Sequence, residues 1–486
     1  MLVLACTEQM VVQTEVGQIF ANIPLLRIIF WLLTPSGCDN GTLAMGWGSG
    51  STNFPYLVDP LSAIQQRALQ DHTVVQYVLN NYDTAIIDSL AMQATAALVF
   101  INADSGEGYI EVDNNFGDRN NLSAWMRADE LILEVAGNNS NTIVIAHTPG
   151  PILMEPWIDH PNVTAVLMAG LPGQESGNAL VDVLYGAVNP SGKTPWTIGK
   201  TREDYGTDAL YVANAPVPQI NFTEGLFIDY RHFDQAGIEP RFEFGFGLSY
   251  TTFAYSDLRI QLLDSSPPTT TSSQPQTSTT VNPSYCPSTP LNVSGYTFPA
   301  SISSVTDYIY PYLPANSSFT TGPPYPSATI YPQPAGTPGG AAELWHPVAV
   351  VAVNMANTGD VDGQEVAQLY LVLGNGEPLR QLRGFNKTMI AAGHSVDVSF
   401  TLVRRDFSIW DVPSQSWVDV RTRGTEVGVF VGASSRDLRA NGTIAATGPG
   451  GTGGLGTTVA VTGMPTGAVV TESSDGQPEV PAATPG

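Results

Sequence analysis

Apolar residues in the first half of the chain fall into short runs separated by stretches with helical spacing. Residues 97–101, 142–146 and 163–168 are such runs. Short apolar runs rich in β-branched residues and ending in turn formers are typical of strands buried on both faces of a parallel sheet. Helices are predicted over 83–94 and 125–135. The alternation predicts βαβ units, and therefore an α/β sandwich with a mostly parallel sheet flanked by helices.

Local signals place further elements in this first half. Asp59 is a predicted N-cap with Pro60 at the first helical position, which predicts a helix over 59–68. A strand is expected over 73–78 and a helix over 178–184. Ser176 and Gly177 stand where this helix begins, and such a place could bind an anion. We favour the other interpretation, a tight turn from strand to helix.

The second half has a different pattern. Residues 258–263 alternate as a strand does, and residues 265–289 are then almost entirely Ser, Thr and Pro, with a Pro-rich continuation to 338. Such a composition does not bury enough apolar surface to form a core. Short alternating segments then follow, and they predict an all-β sandwich. These segments are 348–354, 365–372, 395–402 and 426–431.

We predict five segments along the chain. They are an N-terminal segment 1–37, an α/β domain 38–257, a strand and insertion 258–346, an all-β domain 347–440, and a disordered Gly-rich tail 441–486. The N-terminal segment is apolar over 19–33 but is interrupted by Pro24 and Arg27. The apolar stretch 19–33 is shorter than the ~20 residues that span a bilayer. It also lacks the basic region and cleavage site of a signal peptide.

Composition excludes several classes of partner. The 19 basic and 44 acidic residues give a net charge of −25. This argues against nucleic acid or an anionic membrane as a partner. The three cysteines, Cys6, Cys38 and Cys286, are too few and odd in number for a disulfide framework. Neither a C-x-x-C motif nor a histidine cluster indicates a metal site, so no cofactor is expected.

N-x-S/T sequons occur at high density beside the Ser/Thr/Pro-rich segment. Together they favour a glycosylated protein that is secreted and extracellular. The predicted glycosylation sites are Asn40, Asn121, Asn138, Asn162, Asn221, Asn292, Asn316, Asn386 and Asn441.

A glutamate follows the predicted strand 97–101. Gly106 and Gly108 bracket Glu107, so the backbone there can take conformations closed to other residues. A carboxylate just past the carboxyl end of a buried strand stands where open α/β sheets keep their ligand crevice. The alternative is a solvated loop glutamate without a function.

The context of Glu107 resembles one known family. Residues 105–110 (SGEGYI) and 117–122 (GDRNNL) are similar to the segment around the general acid/base of the fungal β-glucosidases in glycoside hydrolase family 3. The resemblance covers 38–258 and resumes more weakly over 347–438. It implies the family's α/β sandwich domain followed by a fibronectin type III-like domain. Further matching blocks, in the family's order, are 38–50, 169–178, 225–231 and 243–253.

The resemblance implies roles for three residues. Glu107 would be the acid/base, Ser49 would contribute to the glucose pocket, and Tyr109 would stack on the aglycone side. The other interpretations are a flexible Gly-rich turn around Ser49 and a core tyrosine at 109. The implied reaction is retaining hydrolysis of terminal non-reducing β-D-glucosyl residues, as in cellobiose. Cys38 would bridge a second cysteine, which this chain does not clearly supply.

The family's nucleophile has no counterpart in the sequence. It is an aspartate in a Ser-Asp-Trp motif on a (β/α)8 barrel, and no Ser-Asp-Trp occurs here. The residues before Cys38 are too few for a barrel of ~250 residues. The adjacent Asp118 and Arg119 are interpreted as a structural ion pair, and His147 as a structural histidine.

We therefore expect half of a family 3 β-glucosidase, with the acid/base and without the nucleophile. The chain alone is expected to be inactive, or to be a fragment of a longer gene product. The alternative is a non-catalytic secreted carbohydrate-binding or cell-wall module. A third hypothesis is a structural or adhesive secreted protein. The oligomeric state does not follow from the pattern.

Overall fold

A computed structural model gives the structure of most of the two predicted domains. It describes residues 2–4, 27–30, 43–46, 51, 54–107, 111–112, 114–263, 342–374, 376–414 and 416–447. Several predictions lie outside the described residues. They concern Ser49, Tyr109, Asn40, Asn292, Asn316, the three cysteines, the insertion 265–338 and the tail beyond 447.

The first domain is built on a six-stranded sheet with the order β1-β8-β7-β4-β2-β3. Neighbouring strands are parallel, except that β1 is antiparallel to β8. A separate hairpin, β5–β6, lies between β4 and β7 in the sequence. The strands are β1 (Leu2–Leu4), β2 (Arg27–Phe30), β3 (Val74–Tyr77), β4 (Ala96–Asn102), β5 (Glu111–Val112), β6 (Asn115–Phe116), β7 (Thr142–His147) and β8 (Val163–Met168).

Helices cover both faces of this sheet. Successive side chains of β4 point to opposite faces, so Val99 packs into one core and Leu98 into the other. Residues of α2 and α3 share the core of Val99, and residues of α1 and α4 share that of Leu98. This arrangement confirms the predicted α/β sandwich. The helices are α1 (Pro60–Asp71), α2 (Thr84–Ala91), α3 (Ala128–Asn138), α4 (Ser176–Leu184) and α5 (Tyr230–Ala236).

The junction of α1 and α4 explains the sequence at both helix starts. The Asp59 side chain accepts a hydrogen bond from the Ser62 amide at 3.0 Å, as expected of an N-cap. Gly177 donates its N–H to the Val58 carbonyl at 2.8 Å. A Cβ at Gly177 would lie 2.2 Å from the Asp59 carbonyl oxygen. Close packing therefore accounts for Gly177, as the interpretation of a tight turn implies.

Two parts of this domain differ from the sequence-based expectations. The helix predicted from Trp125 begins at Ala128, because Met126 and Arg127 have φ of 56° and 51°, which interrupts a helical start. The N-terminal segment, to which no strand was assigned, contributes β1 and β2 to the sheet. Each of these strands is too short to show a periodicity of its own.

The second domain is an antiparallel β-sandwich, which confirms the predicted all-β domain. One sheet has the order β13-β10-β9 and the other β12-β11-β16-β17, while β14 and β15 form a separate hairpin. The strands are β9 (Phe253–Leu262), β10 (Pro347–Asn357), β11 (Gly363–Val372), β12 (Gln381–Ile390), β13 (Ser395–Val403), β14 (Ser408–Asp411), β15 (Ser416–Asp419), β16 (Val427–Gly432) and β17 (Leu438–Ile444).

Two segment boundaries can be compared with these strands. β9 begins at Phe253 and crosses the boundary that we set at 257/258. β17 continues to Ile444, so residues 441–444 of the predicted tail lie in a strand. The insertion connects β9 to β10, which pair directly, with Leu262 opposite Ala349. The chain therefore leaves and re-enters the sandwich at neighbouring strands.

Buried polar contacts join the two domains. Asp234 on α5 is 3% exposed at its side chain and pairs with Arg380 at 2.8 Å and with Arg436 at 3.4 Å. Gln368 on β11 donates its amide to the Gly245 carbonyl at 3.0 Å. Asp234 and Gln368 are removed from water, so each depends on its partner across the interface. We define Asp234, Arg380 and Arg436 as the interdomain ion cluster.

Candidate functional site

Three loops meet at the carboxyl ends of the central strands. Residues 103–107 follow β4, residues 148–151 follow β7, and residues 43–46 lie against both. The His147 Nδ1 atom lies 2.9 Å from the Leu43 carbonyl oxygen. Gly173, which follows β8, donates its N–H to the Ala44 carbonyl at 2.9 Å. Parallel strands end together at this edge, which is where open α/β sheets bind ligands.

Glu107 is exposed at this edge. It lies five residues beyond Asn102, the last residue of β4. The described part of the Gly-rich loop approaches the same segment, since a Cβ at Gly46 would lie 3.2 Å from the Ser105 carbonyl oxygen. Of the predicted site residues, Glu107 is therefore placed at the edge of the sheet. Ser49 and Tyr109 lie outside the described residues.

Two buried titratable groups lie at the carboxyl ends of β4 and β7. Asp104 is 1% exposed, and burial raises its pKa to about 6, while the N–H of Ser105 and the Arg119 charge act in the opposite direction. Burial lowers the pKa of His147 to about 4, against the effect of the Leu43 carbonyl. His147 is thus held neutral at pH 7, in keeping with a structural role.

The segment after β6 binds the loop that carries Glu107. The Ser105 hydroxyl donates to the Asp118 carboxylate at 2.8 Å and accepts from the Arg119 amide at 3.2 Å. The Arg119 guanidinium instead donates to the Pro151 carbonyl at 3.1 Å. The predicted Asp118–Arg119 ion pair is therefore wrong. Side chains of adjacent residues in this turn point to different loops, which sequence adjacency does not reveal.

An exposed apolar segment borders this edge. Arg202 donates to the Asn120 carbonyl at 2.9 Å, and its guanidinium lies 5.1 Å from the centre of the Tyr211 ring. The exposed apolar side chains of this segment carry no periodic pattern, so sequence reasoning did not single them out. They are Leu210, Tyr211, Val212, Val217, Ile220, Phe222, Leu226 and Ile228.

Two features are absent from the residues that the structure describes. Across these residues, His, Cys, Asp and Glu side chains form no group of three or more that could hold a metal ion. Within the same residues, none of the helices is long and apolar enough to cross a membrane.

Comparison with known proteins identifies both domains. Residues 36–250 match the family model of the glycosyl hydrolase family 3 C-terminal domain. The chain carries the C-terminal domain of glycosyl hydrolase family 3. Residues 365–435 match the fibronectin type III-like domain, which here is the β-sandwich. The predicted resemblance to a C-terminal half of this family is confirmed.

Fungal β-glucosidases are among the relatives of this chain. It is 46% identical over 424 residues to the probable beta-glucosidase A of Aspergillus terreus, covering 83% of this chain and 48% of that protein. Beta-glucosidase 1 of Aspergillus aculeatus is 45% identical, with 83% and 48% covered. The solved family 3 β-glucosidase of Neurospora crassa has a TM-score of 0.72 and 40% identity, with 91% and 55% covered. The chain spans about half the length of the curated relatives it matches.

The buried His147 predicts a pH dependence of stability. Burial lowers its pKa from the ordinary 6.5 to about 4 in the fold, so the unfolded chain binds the proton more tightly. Stability is therefore fully present above pH 6.5 and is lost as the pH falls towards 4, by about 3 kcal/mol from this residue. Urea unfolding of the chain between pH 4 and 7 would measure this slope. His147→Gln should flatten it.

His394→Gln is the matched control, because it removes an exposed histidine. A slope in the His147→Gln protein equal to that of the parent chain would show that another group is responsible. Asp104 acts in the opposite direction, since its raised pKa favours the protonated fold below pH 4 and its contribution is lost as the pH rises through about 6.

Proposed function

We propose that Glu107 is the general acid/base of a retaining β-glucosidase. The substrates would be terminal non-reducing β-D-glucosyl residues of cellobiose and related β-glucosides. The observation that carries this proposal is the position of Glu107. It is exposed at the carboxyl edge of the sheet, in a domain that matches the family 3 model. The chain is 46% identical over 424 residues to a probable β-glucosidase.

Glycoside hydrolysis with retention needs two carboxyl groups and two proton transfers. Glu107 would first protonate the oxygen of the leaving aglycone and then activate the water that breaks the glycosyl-enzyme. Its exposure leaves the carboxyl accessible to both the aglycone and the water. We assign Ser49 to the glucose pocket and Tyr109 to the aglycone side, in line with the sequence motif.

The nucleophile is proposed to lie outside these 486 residues. The sequence contains no Ser-Asp-Trp. Among the described acids near Glu107, Asp104 is 1% exposed and cannot reach an anomeric carbon. The Asp118 carboxylate accepts a hydrogen bond from the Ser105 hydroxyl. We therefore infer that the 486-residue chain alone does not complete the reaction, because removing one member of a catalytic set costs several orders of magnitude.

A hybrid enzyme tests this function. In it, the aligned part of Aspergillus aculeatus beta-glucosidase 1 is replaced by the residues of this chain, so the remaining half of the relative is retained. We expect the hybrid to hydrolyse cellobiose and to release β-glucose first, as NMR would show. The 486-residue chain alone should not do so. Hydrolysis by the chain alone, or a folded hybrid without activity, would contradict the proposal.

A non-catalytic carbohydrate-binding role is the second candidate, and the missing Ser-Asp-Trp favours it. Calorimetric titration of the 486-residue chain with cellobiose separates the two. Binding by the chain alone, joined to an inactive hybrid, would favour the binding module. For either role we propose a secreted, glycosylated protein, since Asn121, Asn221 and Asn386 are exposed. Asn121, Asn138 and Asn162 donate their amide nitrogens in hydrogen bonds within the fold.

A further inference from the structure

One hydroxyl group links the loop that carries Glu107 to the segment after β6. The Ser105 hydroxyl donates a hydrogen bond to Asp118 at 2.8 Å and accepts one from the Arg119 amide at 3.2 Å. Both partners lie in the segment after β6. Ser105 is two residues before Glu107. A change at this hydroxyl therefore acts on the backbone immediately before the candidate acid.

The opposite side of the same segment is anchored to a second loop. Arg119 is half-buried, and its guanidinium donates to the Pro151 carbonyl at 3.1 Å. A Cβ at Gly150 would lie 3.1 Å from the same guanidinium. The segment around Asp118 is thus fixed to the loop after β7, and the hydrogen bonds of Ser105 hold the loop after β4 to the same segment.

We propose that Ser105 is a positioning residue that holds Glu107 where it can protonate the leaving group. The proposal rests on the proposed function of Glu107. Ser105 does not take part in proton transfer. Its two hydrogen bonds restrict the loop 103–107, and proton donation requires the acid to lie within about 3 Å of the glycosidic oxygen. Formation of the glycosyl-enzyme should therefore depend on Ser105 only when the leaving group needs a proton.

Two substrates separate positioning from general damage. Cellobiose has a sugar alcohol as its leaving group and needs protonation, whereas 2,4-dinitrophenolate departs without it. In the hybrid enzyme, Ser105→Ala should lower kcat/KM for cellobiose about tenfold, a loss on the scale of one hydrogen bond to a charged group. It should leave the rate of glycosyl-enzyme formation from 2,4-dinitrophenyl β-glucoside nearly unchanged. Ser105→Thr, which keeps the hydroxyl, should retain activity on both.

The matched control is Ser414→Ala. Ser414 also donates its hydroxyl to an aspartate, Asp411, but it lies at the β14–β15 hairpin of the second domain. It should leave both rates unchanged. Equal losses on both substrates in Ser105→Ala, or a cellobiose rate no lower than that of Ser414→Ala, would overturn the proposal.

The 486-residue chain allows a test without activity. Hydrogen exchange of the Arg119 amide should be about tenfold faster in Ser105→Ala, because its acceptor is lost. Unchanged exchange would overturn the proposed attachment. The Glu107→Gly hybrid separates the two hypotheses. If it shows no dependence on the leaving group, the proposed function itself fails. If it shows that dependence and Ser105→Ala does not, only the positioning role fails.

Discussion

Glu107→Gly in the hybrid enzyme should lower kcat/KM for cellobiose about a thousandfold, within the usual range for a general acid/base. The loss follows from the leaving alcohol, which is a poor leaving group unless it is protonated. Glycosyl-enzyme formation from 2,4-dinitrophenyl β-glucoside should be far less affected. The second step should slow, because the attacking water loses its base. Glycosyl-enzyme should then accumulate, and a burst of dinitrophenolate would report it.

Azide sharpens the test of Glu107. It is a nucleophile that needs no base, so it should restore turnover of the dinitrophenyl substrate and yield β-glucosyl azide with retained configuration. Glu111→Gln is the matched control, since Glu111 is an exposed glutamate only four residues away. If Glu107→Gly remained fully active on cellobiose, Glu107 would not be the acid. The same losses and azide rescue in a Glu111 variant would transfer the role to that residue.

Asp234→Ala should destabilise the chain by about 3–5 kcal/mol. Asp234 is the acidic member of the interdomain ion cluster and is 3% exposed. Its removal leaves Arg380, whose side chain is 15% exposed, without its carboxylate partner, and an uncompensated buried charge is costly. Arg436 keeps its ion pair with Glu239. Guanidinium unfolding at pH 7 would measure the loss. Because the cluster crosses the interface, calorimetry should also show the two domains unfolding in separate transitions.

Asp159→Ala is the control for this effect. Asp159 also pairs with an arginine, Arg241 at 2.9 Å, but its side chain is 67% exposed. Exposed ion pairs contribute little, so the expected change is below about 1 kcal/mol. Similar losses in the two variants would show that burial of the interdomain ion cluster is not the cause.

Sequence reasoning was most accurate where one local pattern determines the structure. The buried strands β4, β7 and β8 were predicted to within one or two residues, because full burial demands unbroken apolar runs. It failed where conformation depends on contacts distant in sequence. The helix α3 begins late because of the backbone at Met126 and Arg127, and β2 is recognisable only from its partners in the sheet.

In the candidate site, too, local sequence patterns predicted some features, while contacts between distant residues determine others. The position of Glu107 at the edge of the sheet could be predicted, because Glu107 follows a buried strand closely, whereas its role as the acid/base stays a prediction from the family resemblance. The hydrogen bonds of Ser105 could not, because they join segments 13 and 14 residues apart through a turn. The interdomain ion cluster was also missed. Asp234 and Arg436 are about two hundred residues apart in sequence, and a sequence does not distinguish buried charged residues from ordinary surface charges.

The direct pairing of β9 with β10 has a consequence for how the chain can evolve. The residues between these strands begin and end at adjacent positions on one sheet, with Leu262 opposite Ala349. The entropy of closing a loop rises only slowly with the number of residues in it, by about 0.6 kcal/mol for each doubling. Insertions and deletions between 264 and 341 should therefore accumulate with little selection against them. Homologous chains are expected to differ in length here while the sandwich and the Glu107 edge stay the same.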